Sequence, residues 1–110
     1  MSTAHVTEIH TYPVKGEPGT DLSEVDVEEG GLAGDRRKKA PVHLISREQS
    51  EGVRANFVVD LSPEDLRALA GSVVSLGAAR LGIVGPAGTC AGVYADVEAP
   101  GHVRVGDALE

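Results

Sequence analysis

The chain has one cysteine, one methionine, no tryptophan and three aromatic rings, those of Tyr12, Phe57 and Tyr94. A single cysteine excludes an internal disulfide framework. It fits a reducing compartment, so the expected location is the cytoplasm. Three aromatics are too few for platforms on which nucleic-acid bases stack. Positive charge is scarce too: ten Lys and Arg stand against seventeen Asp and Glu, for a net charge of −7. That balance argues against the basic footprint that DNA or RNA binding needs. No apolar run approaches the ~18 residues of a membrane span. The opening MSTAHVTEIH has no basic stretch leading into an apolar one, so no secretory signal is expected. Walker A and G-x-S-x-G patterns are absent. His5, His10, His43 and His102 show none of the spacings that make a zinc site.

Glycine and valine are plentiful. Gly is 14 of 110 residues, and Val outnumbers Leu by 15 to 9. Valine suits the pleated surface of a strand and glycine supplies turns and bulges, so a mostly β chain is expected. Its length predicts one domain over residues 1–110.

The pattern predicts strands over Ala4 to Val14, Leu22 to Val27, Val42 to Ser46 and Arg54 to Asp60. Of these, Leu22 to Val27 carries acidic outward positions, and a glycine-rich loop, Gly30 to Gly34, follows it. A short helix is expected near residues 62–70. Ser62 is its cap, Pro63 its first residue, Glu64 and Asp65 suit the positive end of its dipole, and Gly71 is its stop. Further strands follow at Val73 to Leu76, Arg80 to Val84, Gly92 to Val97 and Val103 to Val105. Short strands at close spacing, punctuated by Gly and Pro, predict a small β-barrel. A barrel that leaves strand edges open gains by pairing with a second copy, so a homodimer is expected.

Four places can carry chemistry. Cys90 lies among small residues in GPAGTCAG, where its sulfur is accessible and backbone N–H groups can stabilise a thiolate. The alternative is a small buried hydrophobe. The run GDRRKK, Gly34 to Lys39, holds four of the ten basic residues and can bind a phosphate or another small anion. Arg36 or Arg37 is the site candidate there, and Lys38 and Lys39 read as solvated. Lys15 follows the first strand between Pro13 and Gly16 and can reach a ligand from the barrel rim, or simply lie on the surface. Arg54 and Asn56 share one face of a strand, as an oxyanion fork beside an amide or as a structural pair.

Taken in order, YPVKG (Tyr12 to Gly16), GGLAGDR (Gly30 to Arg36), RANFVVD (Arg54 to Asp60), Cys90 and the closing APGHVRVGDAL (Ala99 to Leu109) resemble the MOSC family, named for the C-terminal domain of molybdenum-cofactor sulfurase. The resemblance implies a Val-rich β-barrel. It also implies handling of the molybdenum cofactor (molybdopterin), with Cys90 as persulfide carrier or metal ligand. Lys15, Arg36, Arg54 and Asn56 would hold the pterin or its phosphate. A soft thiolate suits a soft metal or a sulfane sulfur. The implied partners are a cysteine desulfurase or a molybdoenzyme. The competing function is a non-catalytic module that binds an anion or a pterin, or a purely structural barrel.

Overall fold

The computed structural model describes residues 4–13, 19–35, 41–49, 55–86 and 91–110. Strand β1 (Ala4–Thr11) supplies Val6 and Ile9 to the core, three positions apart rather than two. A bulge explains the spacing. Val6 pairs with Val59 and Glu8 with Val58, so one extra residue resets the alternation of faces. The predicted Leu22 to Val27 strand is two strands, β2 (Thr20–Leu22) and β3 (Glu24–Glu28), broken at Ser23. β2 pairs with the end of β1, whereas β3 pairs with β4 (Gly31–Leu32) in a separate sheet. The Gly30 to Gly34 stretch is therefore not wholly a loop: Leu32 pairs with Val27 and is buried.

Strand β5 (Val42–Ser46) falls where the pattern predicts it, and a single 3₁₀ turn (Arg47–Gln49) follows. β6 (Phe57–Val59) is shorter than predicted and runs parallel to β5. Helix α1 (Pro63–Arg67) is capped as expected, with Ser62 Oγ accepting from the Asp65 N–H at 3.2 Å. Its Leu66 is buried in the core. Turns then carry the chain through Gly71, whose φ of 85° is the left-handed region glycine tolerates. β7 (Val73–Leu76), β8 (Ala79–Pro86), β9 (Val93–Ala99), β10 (Gly101–Arg104) and β11 (Ala108–Leu109) complete the fold.

The main sheet runs β11-β7-β8-β9-β5-β6-β1-β2. It closes into a barrel-like ring because β1 pairs along one edge with both β11 and β2 and along the other with β6. Closure leaves fewer open edges. A smaller sheet, β10-β3-β4, stands beside it. The ring is filled by one cluster that includes Val6, Ile9, Leu44, Phe57, Leu76 and Leu81. A second, smaller cluster joins Ile45, Ala55 and Val58, with Ala91 against it. It sits on the other face of the β5–β6 pair, since Leu44 and Ile45 point to opposite sides. Both faces of β5 are thereby covered, and all five of its residues are buried. Among the described residues no helix is long and apolar enough to cross a membrane.

Candidate functional site

Of the residues singled out in the sequence, Lys15, Arg36, Arg37, Arg54 and Cys90 lie outside the described residues. Asn56 lies within them and is 0% exposed. It immediately precedes β6 and bridges β5 and β1 with both its backbone and its side chain. Its N–H donates to the His43 carbonyl and its carbonyl accepts from His10, each at 2.8 Å. Its side chain repeats the pattern. Oδ1 accepts from the His43 N–H at 3.0 Å, and Nδ2 donates to the His10 carbonyl at 3.2 Å. The amide thus stands in for a second peptide unit between two strands. Aspartate could not do this, because a carboxylate has no N–H for the His10 carbonyl.

The remaining Nδ2 hydrogen goes to Asp35 Oδ2 at 3.0 Å. The other Asp35 oxygen accepts from the Tyr12 N–H at 2.7 Å. The Tyr12 hydroxyl donates to the Ala55 carbonyl at 3.2 Å. Tyr12 belongs to YPVKG, Asp35 to GLAGDR, and Ala55 and Asn56 to RANFVVD. Three stretches far apart in sequence therefore meet in one hydrogen-bonded cluster. No buried polar side-chain atom among the described residues is left without a partner.

His43 connects this cluster to the fourth stretch. It is 6% exposed, and its Nε2 lies 2.7 Å from the carbonyl oxygen of Ala91, the residue after Cys90. A carbonyl only accepts, so Nε2 carries the hydrogen. The ring packs edge-on against Tyr94, with centroids 5.3 Å apart at 67°. Gly92 permits this approach. Its φ is 89°, and a Cβ there would run into the Leu44 carbonyl and sit 3.0 Å from His43 Nε2. Sequence spacing, read for metal ligands, passes over His43. The usable signal is its place in an otherwise apolar strand, Val42-His43-Leu44-Ile45, where a buried imidazole needs a partner.

The other histidines belong to the acidic surface. His102 on β10 lies with Nδ1 2.6 Å from Asp26 Oδ1 and Nε2 2.6 Å from Glu24 Oε1. Asp26, then Glu24, holds the imidazole pKa above its ordinary value. His10 is set between Asp21 and Glu8, and His5 lies near Asp60.

The cluster offers a cofactor a carboxylate and an amide, both already engaged within the chain, and backbone carbonyls. Among the described residues no group of three or more His, Cys, Asp or Glu is placed to hold a metal. The described residues at this cluster supply no cation for a pterin phosphate, which needs Arg or Lys with N–H groups.

Fold and cluster together define a small, Val-rich, barrel-like β protein in which Tyr12, Asp35 and Asn56 meet beside β5. No family model and no curated protein matches the chain. Solved structures do. The fold is shared with the YuaD protein from Bacillus subtilis at 19% identity and a TM-score of 0.81, over 98% of this chain and 94% of that one. It is also shared with YiiM from Escherichia coli at 18% identity and 0.75, over 100% of this chain and 69% of that one. A further structure, titled only as a hypothetical protein, matches at 16% identity and 0.78, over 98% and 67%.

Proposed function

We propose that the protein is a MOSC-like sulfur carrier serving the molybdenum cofactor, with Cys90 as the carrying residue. The observation that supports this most is the meeting of Tyr12, Asp35 and Asn56 in one cluster that His43 joins to Ala91, next in sequence to Cys90. Described residues of motif stretches far apart in the sequence thus lie close together. In the proposed reaction the Cys90 thiolate attacks the outer sulfur of a donor persulfide, such as that of a cysteine desulfurase. A new S–S bond forms on Cys90, the donor S–S bond breaks, and the donor leaves as a thiolate that takes up the proton Cys90 gave up. Lys15, Arg36 and Arg54 supply the positive charge that an anionic cofactor or donor requires. Asn56 and His43 act by holding the surrounding backbone in place.

The test is native mass spectrometry of the purified protein beside Cys90→Ser, with molybdenum determined on both. A gain of one sulfur atom, absent from the variant, is the expected result. A Cys90 that resists alkylation in the native protein, with no mass difference beyond the substitution itself, overturns the reading. His43→Ala should change the alkylation rate of Cys90 severalfold and shift its pH profile. His43→Gln, which keeps an N–H for Ala91, should recover part of both.

The competing function, an anion-binding module with a structural cysteine, is favoured by one result: phosphate affinity that survives Cys90→Ser and fails in Arg36→Ala or Arg54→Ala.

A further inference from the structure

A cavity of about 160 Å³ opens between α1, the turn after β5 and the ends of β8 and β9. Pro63, Leu66, Pro86 and Ala91 are its apolar lining residues, and Gln49 and Arg67 its polar ones. Pro86 and Ala91 are the described residues on either side of the stretch that contains Cys90.

Three features of the lining agree. None of its described lining residues is acidic, in a chain with seventeen acidic groups. Among the described residues, neither the Arg67 nor the Gln49 side chain has a hydrogen-bond or ion-pair partner, although Glu64, Asp65 and Glu48 are close by in sequence. The volume corresponds to about five waters of liquid, which limits an occupant to a few heavy atoms. A planar guanidinium with free N–H groups matches a carboxylate in a two-pronged contact. The apolar residues of this mixed lining leave room for no more than a short aliphatic body.

We propose that this cavity binds a short-chain carboxylate, with the acid group on Arg67 and Gln49 and the aliphatic end toward Ala91. This binding does not rest on the sulfur-carrier reading.

Butyrate is the probe, with butyramide as its uncharged counterpart. Titration is followed by the amide NMR signals of Gln49, Ala91 and Gly92. Butyrate should shift these signals saturably, with a dissociation constant in the millimolar range. Arg67→Gln should raise that constant about tenfold, the equivalent of one charge-assisted contact, while Arg67→Lys should raise it less. Butyramide should not saturate. Arg67 is exposed, so its replacement leaves the core untouched. A lack of saturable shifts, equal binding of butyramide, or an unchanged constant in Arg67→Gln overturns the proposal. Running the titration on Cys90→Ser separates the two readings. Unchanged butyrate binding in Cys90→Ser upholds the cavity, whereas the carrier role stands or falls on the sulfur mass and alkylation of the native protein.

Discussion

In the main ring, His43 is buried among apolar neighbours and gives its Nε2 hydrogen to one backbone carbonyl. In the smaller sheet, His102 stands partly in solvent between two carboxylates. The side chain is the same, but the energetics differ. Around His43 and Asn56, water is excluded, and each lost partner strands a donor or acceptor that nothing replaces. Around His102, water and salt stand ready to replace either carboxylate, so the two short contacts contribute little to stability despite their geometry. Hydrogen-bond length alone does not say which region holds the fold together; burial does.

The largest effect should come from Asn56→Ala. It leaves the His43 N–H, the His10 carbonyl and an Asp35 oxygen without their amide partner, at a cost of about 2–4 kcal/mol. Urea unfolding measures this as a lower midpoint at unchanged slope. Asn56→Asp should cost more, because it turns a carboxylate on the His10 carbonyl and on Asp35. A loss no greater than that of an ordinary surface substitution, about 0.5 kcal/mol, would erase the contrast between the two regions.

Gly92→Ala comes next. The φ of 89° and the crowding against Leu44 and His43 predict a loss of about 1–3 kcal/mol. The His43 ring signals should move in the NMR spectrum. A stable variant with an unmoved ring would mean that Gly92 does not set the approach of β9 to β5.

The smallest effect belongs to His102→Gln, and it depends on pH. The folded state raises the His102 pKa above 6.5, so the folded protein binds this proton more tightly than the unfolded chain does. The resulting stability is fully present below 6.5 and is lost as pH rises through the folded value. Thermal midpoints of native protein and variant should therefore differ most on the acid side and converge at alkaline pH. Added salt should narrow the acid-side gap. A gap that widens with pH would reverse the assigned protonation.

Much of the architecture is legible in the residues. Val42 to Ser46 and Val73 to Leu76 are strands where their apolar runs predict them. Ser62, Pro63, Glu64 and Asp65 announce α1, because capping and dipole effects act within one turn of chain. The break at Ser23 is not legible: the Leu22–Val27 pattern continues across it, and only the exchange of β1 for β4 and β10 as partners separates the two strands. β4 and β11, two residues each, are too short to show a period and exist because neighbours pair with them.

The site divides in the same way. Asn56 is visible as a polar residue ahead of an apolar strand, but the duty of its amide as a bridge between β5 and β1 is not. His43 carries no motif at all, since its role depends on Ala91, forty-eight positions away. By itself the sequence determined what local chemistry determines: a valine-rich β chain, its one capped helix, its acidic surface, and the order of the motif stretches. The tertiary structure decided which backbone groups those stretches satisfy and where the ring closes. Both outcomes depend on contacts between distant residues, whose energies exist only once the chain has brought them together and excluded the water between them.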